Sequence, residues 1–155
     1  MRRRCLTSSF GEVLLAHYTA TVTSQLPPAE AFAFMIQLER FVEWDPGISK
    51  VKHQSGPPGQ VGTTYDLTIA GWSPTVMRYE LTAVDAPRSF RMASTTRFLR
   101  SVDEIRVEAD GSGSRVTYDA RLDLRGPLRV LDPMLARVFQ KIADRAMIGL
   151  RKALS

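Results

Sequence analysis

Residues Gly126–Ser155 read GPLRVLDPMLARVFQKIADRAMIGLRKALS, and this stretch decides the fold. Leu131, Leu135, Val138, Ile142, Ala146, Gly149 and Ala153 recur at three- and four-residue spacing, which places them on one stripe of a long helix. Arg137, Lys141, Arg145 and Lys152 fall on the opposite side. Asp132-Pro133 has the form of a helix start, aspartate at the N-cap and proline at N1, so the helix is expected to restart or bend there after a first turn opened by Pro127. A lone helix laid on a curved sheet leaves space between the two, and such space suits a ligand pocket better than a solid core.

Upstream of that helix the chain reads mostly as strands. Tyr18, Ala20 and Val22 alternate with Thr19, Thr21 and Thr23, the pattern of a half-buried strand. Pro27-Pro28-Ala29-Glu30 opens a first short helix, and a second near Leu38–Val42 is stopped by Pro46 and Gly47. Strands are then expected over Ile48–Gln54, Gly62–Ala70, Thr75–Val84, Ser89–Thr96, Leu99–Ala109 and Ser114–Leu124. Asp110-Gly111-Ser112-Gly113 is the strongest hairpin signal, and the short connections throughout favour antiparallel neighbours. The expected architecture is α+β, a curved antiparallel sheet of about seven strands around a long C-terminal helix. Residues 1–11 are expected to form a flexible tip and 12–155 a single domain.

Hydrophobic residues make up 44% of the 155-residue chain and charged residues 24%, the balance of a soluble globular domain. The net charge of +5 owes three charges to Arg2, Arg3 and Arg4, which is weak support for a nucleic-acid surface, and none is expected. Cys5, the only cysteine, excludes an internal disulfide and a multi-cysteine metal site. His17 and His53 show no metal-ligand spacing and no Gly-x-Ser-x-Gly elbow occurs, so neither a metal nor another cofactor is expected. The apolar run Val13-Leu14-Leu15-Ala16 is too short for an export signal, and no segment is long enough for stable membrane insertion, so a cytoplasmic monomer or homodimer is expected.

Phe41-Val42-Glu43-Trp44-Asp45-Pro46-Gly47-Ile48 after the paired helices, Pro57 to Gly62, Tyr79-Glu80-Leu81 with Ala86-Pro87, and Gly126-Pro127-Leu128 before the last helix together resemble the START/SRPBCC superfamily. More narrowly they resemble its polyketide cyclase/dehydrase-like branch, over roughly residues 12–154. The resemblance implies a helix-grip fold. It leaves the activity open, because that superfamily holds lipid carriers, receptors and cyclases alike.

Strand parity chooses the residues that face the expected pocket. Asp103 shares parity with Ser101, Ile105 and Val107, so its carboxylate is expected to point inward, to anchor a polar ligand group or act as a general base. The alternative is an ion pair with Arg97 or Arg100. Tyr65, Tyr79 and Tyr118 share their strands' apolar parity and offer a large ring with one hydroxyl each. Met92 and Ser94 belong to the same wall, Trp72 follows a strand end where it would cap the mouth, and Met134, Leu135, Val138, Phe139 and Ile142 would form the helix wall. Trp44 is expected to pack the short helices on the sheet, with Asp45 capping a turn.

Three functions fit these expectations. One is binding of a hydrophobic or aromatic small molecule, lipid- or polyketide-like. Another is an aromatase/cyclase or dehydratase using Asp103, although the pocket arginine that the resemblance to cyclases implies has no mid-strand candidate of inward parity. A further alternative is an interaction module meeting an acidic partner through the basic helix face.

Overall fold

The computed structural model describes residues 16–155, apart from the side chains at 129, 132 and 135. The expected tip at 1–11, with residues 12–15, therefore lies outside the described residues, as does the side chain of Leu135.

Strand β1 (Ala16–Ser24) is followed by helix α1 (Pro28–Met35), a 3₁₀ turn (Leu38–Arg40) and helix α2 (Phe41–Trp44). Six strands come next: β2 (Ile48–Ser55), β3 (Thr64–Ile69), β4 (Thr75–Asp85), β5 (Ser89–Thr95), β6 (Leu99–Asp110) and β7 (Gly113–Leu124). A second 3₁₀ segment (Gly126–Leu131) then leads into helix α3 (Asp132–Ala153). The seven strands form one antiparallel sheet in the order β1-β7-β6-β5-β4-β3-β2, so only β1 leaves its sequence neighbour to pair with the last strand. The antiparallel sheet with a long C-terminal helix expected from the alternation, and the helix-grip fold that the resemblance implied, are what is observed.

Alternation drives this sheet. On β6, Ser101, Asp103, Ile105 and Val107 are buried while Arg106 and Glu108 face outward. Phe90 and Met92 of β5, and Met77, Tyr79 and Leu81 of β4, bury the same concave face. Asp110 pairs with Gly113 across a two-residue turn that Gly111 enters at φ +60°, a conformation glycine adopts without strain.

Under α1, α2 and the C-terminal end of α3, where Leu150 and Leu154 are fully buried, the core is solid. Phe32 meets Phe90 edge-on at 6.0 Å, Phe41 packs against Trp44 at 4.7 Å with the rings tilted by 55°, and Trp44 meets Tyr118 at 6.0 Å. The fully buried Phe41 and Phe90 each contribute about 1.5–3 kcal/mol over their exposed state. Ser24 Oγ donates to the carbonyl of Leu154 at 2.8 Å, tying the end of α3 to the end of β1. Backbone contact is closest at Gly149, where a Cβ would overlap the Trp44 carbonyl oxygen and lie 2.9 Å from its carbonyl carbon.

The stripe that α3 buries shares Ala146, Gly149 and Ala153 with the expected one but is rotated towards Met147, Leu150 and Leu154. Leu154 and Leu150 are fully buried, and counting back from them by three and four residues gives Met147, Ala146, Ala143 and Phe139. Val138 sits about 100° round the helix from Phe139, and it is 50% exposed, as Met134 is 62% exposed. The fully buried leucines at the C-terminal end fix the rotation, and the N-terminal residues follow it. The 3₁₀ segment does give way to the α-helix at this point, but Leu131 occupies the N-cap and Asp132 is already the first helical residue.

Candidate functional site

Between the middle of α3 and the concave sheet lies a cavity of about 210 Å³. Leu67, Met77, Met92 and Ala120 line its sheet side, and Phe139, Ile142, Ala143, Ala146 and Met147 its helix side. Half-buried Ile48, Ile69, Leu99 and Leu122 line it where β2 and β6 begin and β3 and β7 end. Among the described residues, no arginine, lysine, histidine or cysteine lines it.

Asp103 is the polar centre of this apolar space. Parity turns it inward, its residue is only 6% exposed, and it pairs across the sheet with Met92 and Ala120. Tyr118 donates its hydroxyl to Oδ2 at 3.0 Å, and Ser101 donates to Oδ1 at 3.3 Å. Neither Arg97 nor Arg100 pairs with it, so the ion-pair alternative is not the arrangement found. Burial pushes the Asp103 carboxyl up to about 7, against the downward pull of the Tyr118 and Ser101 hydroxyls. Protonated, it can donate a hydrogen bond; ionised, it only accepts.

Burial, then the neighbouring Asp103, also drives the Tyr79 and Tyr118 hydroxyls far above the usual phenol range, so both stay donors. Asp45 is the fifth polar member. Its Oδ1 accepts the Gly47 amide at 2.8 Å, as an aspartate closing a turn does, and burial raises its carboxyl despite that bond. A cap was expected at Asp45, but its place in the cavity wall was not: that depends on α3 bringing Ile142 against Gly47.

Of the residues singled out from the sequence, the cavity gathers Tyr79, Met92, Asp103, Tyr118, Phe139 and Ile142. Others stand elsewhere. Trp72 is fully exposed in the β3–β4 turn, because alternation has no authority past a strand end. Tyr65 is buried at the far end of β3 against the ring of His53, 5.4 Å away. Ile105 lies in the solid core, and Ser94 is buried outside the cavity wall with no hydrogen-bond partner among the described residues. Met134 and Val138 are turned outward by the helix rotation. No group of three metal-ligating side chains occurs among the described residues, and no helix there is long and apolar enough to cross a membrane.

Comparison with known proteins places this fold in a family. Residues 16–155 match the family model of polyketide cyclase / dehydrase and lipid transport proteins, and the chain belongs to that family. No curated protein matches it significantly. Among solved structures it is similar to TTHA0849 from Thermus thermophilus, at TM-score 0.74 and 15% identity over 89% of this chain and 96% of that one. It is also similar to the Zhui aromatase/cyclase from Streptomyces sp. R1128, at TM-score 0.71 and 12% identity, covering 90% and 91% of the two chains. Ara h 8.0201 superposes at TM-score 0.67 with 18% identity over 90% of this chain and 97% of that one. At these identities the likeness is one of fold.

Proposed function

We propose that the protein binds a hydrophobic or aromatic small molecule, lipid- or polyketide-like, between the sheet and α3. The observation that carries this reading is the cavity of about 210 Å³, walled by apolar side chains and holding Asp103 with its two hydroxyl donors. It exceeds the ~150 Å³ that accommodates a benzene-sized molecule. The apolar walls supply affinity and the Asp103–Tyr118–Ser101 group orients whatever polar function the ligand carries.

Saturable binding of the apolar fluorophore 1-anilinonaphthalene-8-sulfonate is expected, with one site per chain. Ala143 faces the cavity from α3, so Ala143→Phe fills the space and weakens binding by about tenfold or more while far-UV circular dichroism stays native. Wild-type protein that binds no probe, or an Ala143→Phe variant that binds unchanged, would sink the reading.

One observation favours a catalytic variant of the same site: Asp103 sits at about 7, where a carboxyl exchanges protons readily at neutral pH. The solved structures it resembles include an aromatase/cyclase. In this variant Asp103 takes a proton next to a ligand carbonyl and Tyr118 holds the carboxyl in place. Asp103→Asn is then expected to abolish turnover of a poly-β-keto thioester with probe binding kept; equal turnover would remove the proposed base.

A further inference from the structure

The exposed apolar side chains are unevenly spread. Trp72 in the β3–β4 turn, Phe98 in the β5–β6 turn, Leu128, Val130 and Leu131 in the 3₁₀ segment, and Met134 at the start of α3 all stand in solvent. The register puts them at one end of the sheet. β3 ends at Ile69 opposite Thr75, the first residue of β4. β6 begins at Leu99 opposite Leu124, the last residue of β7. The Arg125 amide donates to the Phe98 carbonyl at 2.8 Å, fastening the 3₁₀ segment beside the β5–β6 turn. That end also holds the half-buried cavity residues Ile48, Ile69, Leu99 and Leu122. At the opposite end, Val61 is the one exposed large apolar side chain in the loops among the described residues.

Basic residues interleave with this crown. Arg97, Arg100 and Arg125 are exposed on or beside the same turns, and Arg137 and Lys141 on the outward face of α3. None of the five makes a salt bridge among the described residues. The Arg97 guanidinium lies 5.4 Å from the Phe98 ring centroid, so charge and aromatic ring occupy the same tip.

We infer that this end of the molecule docks on an anionic lipid bilayer, with Trp72, Phe98 and the 3₁₀ segment entering the headgroup layer and the arginines meeting lipid phosphates. The apolar tips come from three separate elements projecting at one end, a form that suits a plane rather than a groove. Aromatic rings favour the interfacial zone, and basic residues near an anionic surface add attraction while they remain in water. The inference is independent of which ligand the cavity takes.

Co-sedimentation of the full chain with vesicles tests it. Binding is expected to phosphatidylcholine vesicles containing phosphatidylglycerol, with weak or no binding to phosphatidylcholine alone, and high salt should weaken it. Trp72 emission should shift to the blue on binding, while buried Trp44 holds steady. Trp72→Ser with Phe98→Ser, and separately Arg97→Gln with Arg100→Gln and Arg125→Gln, should each weaken binding about tenfold or more. Fluorophore binding in the cavity should survive in both variants, which separates this test from that of the ligand site. Three results would overturn the inference: no binding to anionic vesicles at low salt, unchanged binding by the Trp72→Ser, Phe98→Ser variant, or sedimentation as a dimer that this variant dissociates.

Discussion

Gly149→Ala is expected to destabilise the protein by about 3 kcal/mol or more, the cost of forcing an atom into a filled interior. The sign is the informative part. At an ordinary helical glycine the same change stabilises by about 1 kcal/mol, because alanine is the better helix former. Here the new methyl would overlap the Trp44 carbonyl oxygen and lie 2.9 Å from the carbonyl carbon and 3.2 Å from Cα. These are backbone atoms of α2, which cannot swing aside as a side chain would. α2 and α3 must separate, loosening Phe41, Trp44, Met147 and Leu150 together. In a chain of this size the melting temperature should fall by about 10 °C. Gly71→Ala is the control: nothing lies within 4 Å of its Cβ position, so a change within about 0.5 kcal/mol is expected. Equal melting temperatures for the two variants would show that α2 and α3 are not in that contact.

Asp103→Asn is expected to make the protein more stable above neutral pH. In the folded chain burial raises this carboxyl from 3.8 to about 7. Between those values the native state holds a proton that the unfolded state has released, so stability falls as pH rises. The full penalty, about 4 kcal/mol at most, is present above pH 7 and absent below pH 4. Asparagine carries no such proton. Urea unfolding from pH 4 to 8 should therefore show wild type losing stability across that window and the variant staying flatter. The curves should converge at the acid end. Asp45, also raised by burial, adds a slope of the same sign that the variant keeps. Asp119 acts the other way. Burial pushes it up, but the His17 ring and the Thr19 hydroxyl outweigh that and hold it low, so its contribution is lost only in more acidic solution. Parallel curves for wild type and variant would mean that Asp103 is ionised in the folded protein.

The strands were legible in the chain because each has one face in the core, and period-two alternation records that directly. It turned Ser101 and Asp103 inward and placed Tyr79, Met92 and Tyr118 on the concave wall. Rotation of α3 was less legible, because the helix carries apolar residues over more than one stripe. Val138 and Phe139 are equally apolar in the sequence, and only the packing of Leu150 and Leu154 decides between them. Trp72 failed for a different reason: a turn residue has no neighbour opposite it to fix its side. Asp45 showed its local bond to Gly47 in the sequence, but the cavity it borders is made by a helix about a hundred residues further on.

The placing of β1 beside β7 sets an order of events during synthesis. His17 bonds to Asp119 across 102 residues of sequence, and Ser24 reaches Leu154 across 130. β1 leaves the ribosome before the other six strands, yet β7, with which it pairs, is the last of them to follow. Strands β2 to β7 pair each with the next and can assemble as they emerge, whereas β1 waits with open backbone groups on both edges. Closing so distant a pair is slow, and a waiting strand edge invites other chains. The alternating threonines of β1 (Thr19, Thr21, Thr23) keep that edge polar on one face for as long as it stands alone.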